Sequence, residues 1–261
     1  MSAPGVMPTL FAGHGSPMNA IEDNEFSRGW RALAGRQPRP RAILCVSAHW
    51  ETHGAAVTAD ERPATIHDFY GFPETLFAIE YRAPGDPVLA RRVAALLAPE
   101  PVRLADDWGL DHGAWSVLHI MYPEADIPVV QLGIDTARPG PFHVELARRL
   151  APLREEGVLV MGSGNIVHNL RYFRRDRSPP LDWAARFDAA VRTRIEDGDI
   201  AALSRLDALG PDAPLAVPTP EHYLPLLYVL ALRRDDDRLS FFNEAVTSSI
   251  AMTSVLLEPP A

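Results

Sequence analysis

The sequence has 261 residues and a formal net charge of −9, with 47% hydrophobic and 23% charged residues, which is typical of a globular chain with one sizeable core. No long basic stretch is present, so we expect neither a nucleic-acid partner nor an anionic membrane surface. Cys45 is the single cysteine, and neither a leader-like N-terminus nor an apolar window of roughly eighteen residues is found, so we expect a soluble cytoplasmic protein.

Apolar runs of strand length alternate with amphipathic stretches along the chain. Strands are predicted at residues 6–11, 42–46, 55–58, 102–104, 127–134, 158–161, 239–242 and 250–256. Helices are predicted at residues 25–33, 86–97, 114–121, 142–153, 183–195, 200–206 and 222–232. This alternation predicts a single α/β domain over residues 1–261, with a central sheet flanked by helices on both faces. The sheet is expected to be mostly parallel, or mixed if the last two strands join it.

Several histidines lie where these predicted strands end. His14, His49 and His168 directly follow apolar runs, and the carboxyl ends of strands in an open α/β sheet line one crevice. His222 follows a proline-rich loop, and His112 lies in a glycine-flanked turn at the start of a helix. Neutral imidazole is a good ligand for borderline divalent metals. The pattern therefore predicts a metal site assembled from distant parts of the chain, and a single cysteine excludes a cysteine-rich zinc finger.

The remaining histidine settings lead to different expectations. His14 taken alone also fits an exposed side chain in a tight turn, although the glycines on either side would leave room for a metal and a substrate. His119 is predicted to pack within a helix, whereas His53 and His143 are predicted to lie on the surface. His67 belongs to an aromatic-rich loop, which fits either a wall of a substrate pocket or a hydrophobic cover.

Six motifs together resemble one known family. They are Gly13-His14-Gly15-Ser16-Pro17, Ser47-Ala48-His49-Trp50, Thr65-Ile66-His67-Asp68-Phe69, Asp111-His112-Gly113, Gly164-Asn165-Ile166-Val167-His168-Asn169 and Pro218-Thr219-Pro220-Glu221-His222-Tyr223. The chain resembles the DOPA-dioxygenase type of class III extradiol ring-cleaving dioxygenases, in the LigB-like superfamily. The resemblance covers nearly the whole chain. It implies an α/β fold, a non-haem Fe(II) site, and opening of a small-molecule catechol ring with O2.

The resemblance also implies roles for individual histidines. His14 and His49 correspond to two metal ligands, and His222 stands where the wider superfamily uses a carboxylate. His168 resembles the catalytic histidine and is implied to reach the metal as well. His112 resembles a second acid/base or substrate-contacting histidine, and His67 is taken as a substrate-binding residue.

Two other functions stay open on the sequence. An all-histidine ligand set also suits Zn(II), so a zinc-dependent hydrolase is one alternative, and zinc is expected to compete for the site in a purified sample. The second alternative is a non-enzymatic binding protein, because the superfamily includes Memo-like members. A binding module has no need of His112 and His168 beside an open metal, which favours the dioxygenase. A homo-oligomer is compatible with the sequence but is not indicated by it.

Overall fold

The computed structural model describes residues 5–174 and 178–260. The strands are β1 (Thr9–Gly13), β2 (Ala42–Glu51), β3 (Ala55–Thr58), β4 (Val102–Ala105), β5 (Val129–Ile134), β6 (Val158–Gly164), β7 (Arg238–Phe242), β8 (Val246–Thr247), β9 (Ile250–Ala251) and β10 (Ser254–Glu258). The α-helices are α1 (Glu25–Ala34), α2 (Glu74–Phe77), α3 (Pro87–Leu97), α4 (His112–Met121), α5 (Gly140–Arg148), α6 (Pro152–Glu155), α7 (Asp182–Glu196), α8 (Ile200–Leu203), α9 (Ala213–Ala216) and α10 (Leu224–Leu230).

Within the described residues, the main sheet has eight strands in the order β4-β3-β5-β2-β6-β1-β10-β7. The four central strands, β5, β2, β6 and β1, run parallel to one another. Strands β10 and β7 add antiparallel pairs on one side, and β3 meets β5 in an antiparallel bridge on the other. The predicted α/β fold with a mixed sheet is confirmed. The parallel centre brings the carboxyl ends of β1, β2 and β6 to the same edge.

The contacts of strand β2 explain why residues 42–46 are all apolar rather than alternately apolar and polar. Successive side chains of a strand point to opposite faces. Leu44 and Val46 belong to the core cluster that includes helices α3, α5, α7 and α10, whereas Ile43 and Cys45 belong to the cluster that includes α1 and α4. Both faces of the strand are therefore covered, as the continuous run predicts.

Two predicted helices differ from those in the structure, one because of a proline and one because of a helix cap. The helix predicted over residues 142–153 is divided into α5 and α6, because Pro152 has no N–H for a continuing helix and instead opens the first turn of α6. Helix α4 begins at His112, earlier than predicted. The Asp111 side chain caps it by accepting a hydrogen bond from the backbone N–H of Ala114 at 3.1 Å, and this start places His112 in the first turn.

A buried ion pair lies at the amino ends of β1 and β6. The Arg154 side chain is 1% exposed and donates two hydrogen bonds of 2.7 Å to the Asp237 carboxylate. It also donates to the carbonyls of Met7 and Leu232, at 2.8 and 2.7 Å. Burial raises the pKa of Asp237, but the hydrogen bonds and charges of Arg154 and Arg234 together outweigh it, so the net pKa lies below its usual value.

His143 is buried, so its predicted surface position is wrong. Its Nδ1 lies 2.9 Å from the Tyr228 hydroxyl and its Nε2 lies 3.2 Å from the Asp135 carbonyl, because α5 packs this face against α10. Burial lowers the pKa of His143. His53 is exposed as predicted. Among the described residues, no helix is long and apolar enough to cross a membrane.

Candidate metal centre

Five histidines meet at the carboxyl edge of the parallel strands. His14 follows β1, His49 lies near the end of β2, and His112 opens α4. His168 lies in the loop after β6, and His222 lies shortly before α10. The ring centroids of His14, His49 and His222 are mutually separated by 5.0, 5.1 and 5.4 Å. The structure thus brings together the five histidines proposed as ligands or acid/base groups.

The hydrogen bonds of His14 decide which of its ring nitrogens is free. The Ser163 hydroxyl donates to the Gly113 carbonyl at 2.5 Å, so its oxygen is left to accept from the Nδ1 of His14 at 3.0 Å. The hydrogen of the neutral imidazole then sits on Nδ1. The Nε2 lone pair of His14 is therefore available to a ligand.

His49 directs its Nε2 at the same point. The Nε2 atoms of His14 and His49 are 3.2 Å apart, and the Nδ1 of His49 lies 3.3 Å from Oδ2 of Asp68. This contact is an ion-pair distance, and a negative carboxylate beside Nδ1 favours a hydrogen rather than a lone pair at that position of His49. Two lone pairs then face each other across 3.2 Å, an arrangement that a cation relieves.

His222 supplies a third buried ring. Its Nδ1 lies 3.0 Å from Oε1 of Glu221, which again places the hydrogen on Nδ1. Within the part of the chain that the structure describes, Nε2 of His222 is buried and has no hydrogen-bond partner. A buried polar atom without a partner costs free energy unless a ligand satisfies it. The donor set therefore fits a divalent metal.

The closest groupings of potential ligand atoms differ from the set that the resemblance implies. In the described chain, His14, His49 and His112 have ligand atoms within 4.8 Å of one another, and so do His168, Glu221 and His222. His222 and His112 are therefore rival third partners for the His14–His49 pair. Of these two rings, His222 is the one whose Nε2 is fully buried without a hydrogen-bond partner among the described residues, which favours His222.

Burial keeps the imidazoles neutral, the form that binds metals. It lowers the pKa of His14 and of His222 well below the usual value, with neighbouring histidines adding to the shift. Burial and then the charge of His112 lower the pKa of His49 to about 3. Burial likewise lowers the pKa of His168 to about 4, against an opposing effect of Glu221.

His168 and His112 lie beside the cluster formed by the rings of His14, His49 and His222. The ring of His168 stacks on that of His222, with centroids 3.4 Å apart and planes within 7°. The ring of His112 lies 3.9 Å from that of His49, and its Nδ1 lies 2.9 Å from Oδ2 of Asp68. Burial raises the pKa of Asp68, but hydrogen bonds and charge from His112, aided by His49, bring it below the usual value.

His67 lies outside the histidine cluster. Its Nε2 is 3.0 Å from the Ile79 carbonyl, and its ring contacts Phe69, Phe77 and Trp115 at centroid distances of 5.6 to 5.9 Å. Phe69 in turn contacts the ring of His112 at 5.5 Å. His67 is thus part of an aromatic cluster that reaches the histidines through Phe69.

The glycines beside His14 have a packing role. A Cβ at Gly13 would lie 2.5 Å from the backbone oxygen of Met252. Gly15 has a φ of +59° and lies against the Met252 sulfur. The space that these glycines leave is occupied by Met252, so the structure assigns it to packing and to the turn.

The partners of the rings were missed on the sequence. The Nδ1 of His14 contacts Ser163 and the Nδ1 of His49 contacts Asp68. The Nδ1 of His222 contacts Glu221. Asp68 lies next to His67 in its motif, and Glu221 precedes His222, so proximity to histidine was an available signal. Ser163 carries no such signal, because only the pairing of β6 with β1 places it beside His14.

The structure has an α/β fold and a cluster of histidines whose ligand atoms lie close enough together to hold a metal ion. Comparison with known proteins identifies the family. The chain belongs to the family described as the catalytic LigB subunit of aromatic ring-opening dioxygenase, which matches residues 8–255. It is an extradiol aromatic ring-opening dioxygenase, as the motifs predict, acting on a small molecule with O2.

Individual relatives match over almost their full lengths. An Escherichia coli K12 protein named "4,5-DOPA dioxygenase extradiol" is 48% identical over 254 residues, covering 95% of this chain and 94% of the relative. A Beta vulgaris protein of the same name is 40% identical, covering 94% and 93%. The crystal structure of an uncharacterized protein, JW3007 from Escherichia coli K12, has a TM-score of 0.82 and 44% identity over 96% of this chain and 99% of that one.

Proposed function

We propose that this chain opens the catechol ring of DOPA or a close analogue, using O2 and Fe(II) held by His14, His49 and His222. The name "4,5-DOPA dioxygenase extradiol" is shared by relatives from a bacterium and from plants, which supports a catechol with an amino-acid side chain as the substrate class. The family match over residues 8–255 supports treating residues 1–261 as one catalytic domain.

One observation carries the metal part of the proposal. The Nε2 atoms of His14 and His49 face each other at 3.2 Å, and among the described residues the buried Nε2 of His222 has no partner. Each ring already uses its Nδ1 toward Ser163, Asp68 or Glu221. Partners of this kind orient metal-binding imidazoles and raise their basicity.

Bound Fe(II) would supply open coordination positions at which catechol and O2 meet, whereas the same imidazoles also suit Zn(II). The chain's own residues perform the remaining tasks. A neutral His112 whose Nδ1 hydrogen is committed to Asp68 has Nε2 free to accept a catechol hydroxyl proton. His168 is proposed as a second acid/base group because it lies beside the same centre, and burial lowers its pKa to about 4, so it enters the reaction neutral. His168 is also close enough to His222 to serve as an alternative ligand.

The aromatic cluster around Phe69 supports a role in binding the substrate ring. Phe69 contacts both His112 and His67, so it lies between the proposed acid/base group and the outer wall. A flat catechol packs favourably against aromatic edges and faces. His67 would act there by holding the cluster through the Ile79 carbonyl, at 3.0 Å.

The test is reconstitution of metal-free protein under anaerobic conditions with Fe(II) or with Zn(II). DOPA and a panel of other catechols are added, air is admitted, and O2 uptake and a yellow ring-opened product are followed. We expect uptake with Fe(II) and none with Zn(II), with both oxygen atoms of labelled O2 entering the product. Absence of uptake with Fe(II) across the whole panel would overturn the proposal.

A further inference from the structure

The loop that precedes α2 is fixed to the start of α4 by backbone and side-chain hydrogen bonds. The backbone N–H of Ile66 donates to the Leu110 carbonyl at 2.7 Å, and the N–H of Leu110 donates to the Ala64 carbonyl at 2.8 Å. The indole N–H of Trp115 donates to the Ile66 carbonyl at 2.8 Å. Asp68, two residues further along, is therefore held at a defined position relative to α4.

The Asp68 carboxylate contacts two histidines at once. Oδ1 accepts the backbone N–H of His112 at 2.8 Å. Oδ2 lies 2.9 Å from Nδ1 of His112 and 3.3 Å from Nδ1 of His49. These two rings have different proposed tasks, since His49 is a metal ligand and His112 a proton acceptor. Helix α4 is capped by Asp111, so capping alone does not account for Asp68.

We propose that Asp68 is a positioning residue that keeps a hydrogen on Nδ1 of both His49 and His112 and thereby leaves both Nε2 atoms for the reaction centre. The carboxylate donates no hydrogen bond, accepts one from Nδ1 of His112, and places its negative charge 3.3 Å from Nδ1 of His49, so one group favours the same orientation for both rings. Its Oδ1 also holds the backbone at the start of α4 through the His112 N–H, which fixes where the His112 ring begins. The catalytic consequence rests on the proposed function, whereas the position of the hydrogens does not.

The sharpest test replaces Asp68 by asparagine, which keeps the shape and the Oδ1 acceptor for the His112 N–H. The amide NH2 of Asp68→Asn would face the two Nδ1 atoms as a donor, so each neutral ring would move its hydrogen to Nε2, toward the metal position. Asp86→Asn is the matched control, because Asp86 also accepts backbone N–H groups, those of Val88 and Leu89, at the start of α3.

The first readout needs neither metal nor activity. Histidine-labelled, metal-free protein is examined at neutral pH by two-bond 1H–15N NMR, which distinguishes Nδ1–H from Nε2–H rings. We expect Nδ1–H for His49 and His112 in the parent and in Asp86→Asn, and loss of that state in Asp68→Asn. Either ring found as Nε2–H in the parent would overturn the proposal without any variant, so it stays testable even if Asp68→Asn does not fold.

The second readout is metal affinity, measured by competition between each protein and a coloured chelator for Zn(II). We expect Asp68→Asn to bind about 10–100-fold more weakly than the parent, the usual effect of losing the partner of a ligating histidine, with Asp86→Asn unchanged. Unchanged affinity together with unchanged ring hydrogens in Asp68→Asn would refute the positioning role. A parent with the expected ring hydrogens that takes up no O2 with Fe(II) would instead refute the proposed function alone.

Discussion

The two ends of strands β1 and β6 carry buried polar groups of opposite character. At the amino ends, the Arg154 guanidinium donates hydrogen bonds to Asp237 and to two backbone carbonyls. At the carboxyl ends, the Nε2 atoms of His14 and His49 face each other, and that of His222 lacks a partner among the described residues. Both regions are buried, so burial does not distinguish them. The difference is whether each polar atom is satisfied by the protein itself.

A fully satisfied buried group stabilises the fold, whereas several imidazole lone pairs gathered at one buried point suit a metal ion. Removing part of the amino-end network should therefore change stability with little change in turnover per folded molecule. Removing part of the histidine centre should do the reverse. The following experiments separate the two ends on that basis.

The largest effect is expected for His14→Ala, because it removes one of the two Nε2 atoms that face each other. Loss of a partner behind a ligand costs about 10–100-fold, so loss of a ligand should lower turnover more than 100-fold. Metal content after reconstitution, measured by atomic emission, should fall with it. The free energy of unfolding of the metal-free variant should change less than in Asp237→Asn. Parental metal content in His14→Ala would contradict its role as a ligand.

His168→Ala should reduce kcat by about 10²–10⁴-fold, the usual contribution of a positioned acid/base group. Metal content should stay near the parental value, because His14, His49 and His222 remain. The exposed His53→Ala is the control and should leave kcat unchanged. Steady-state O2 uptake with Fe(II)-loaded proteins checks this, and an unaltered kcat in His168→Ala would remove it from the mechanism.

Asp237→Asn should destabilise the protein by about 3–5 kcal/mol, since it leaves the Arg154 charge buried without a counter-charge. The pKa of Asp237 is lowered in the fold, so its contribution is present above about pH 4 and is lost as the pH falls toward the folded pKa. The control is Asp107→Asn, whose pair with Arg103 is exposed and whose loss should leave the free energy of unfolding nearly unchanged. Urea unfolding gives the free energy of unfolding of both variants. Equal losses in Asp237→Asn and Asp107→Asn would contradict the stabilising role of the buried pair.

The smallest effect concerns His143, a buried histidine outside the centre. Its pKa is lowered by burial, so below about pH 6.5 the unfolded chain takes up a proton that the folded chain does not. Stability contributed by its neutral form is present above that pH and is lost below it, at up to about 1.4 kcal/mol per pH unit. His143→Gln should reduce this slope in urea unfolding between pH 7 and the folded pKa, and exposed His53→Gln should not.

The sequence was most informative where a local pattern was sufficient. The run at residues 42–46 predicted a strand covered on both faces, and residues 55–58 correspond to β3. The six motifs predicted the family, and the five histidines proposed for the centre do lie together. The helix predicted over residues 142–153 is interrupted at Pro152. His143 was predicted on the surface but is buried, because only contact with α10 determines which face of α5 is inward.

What the sequence by itself determined is the alternation of strands and helices, the family, and the identity of the histidines at strand ends. Those properties follow from local periodicity and from motifs that each lie within one short stretch of the sequence. Only the tertiary structure decided which atom of each ring is free, because Ser163, Asp68 and Glu221 contact Nδ1 atoms after the chain has folded. The pairing of β6 with β1 and the anchoring of the Asp68 loop to α4 join residues far apart in sequence, and no local pattern encodes such distances.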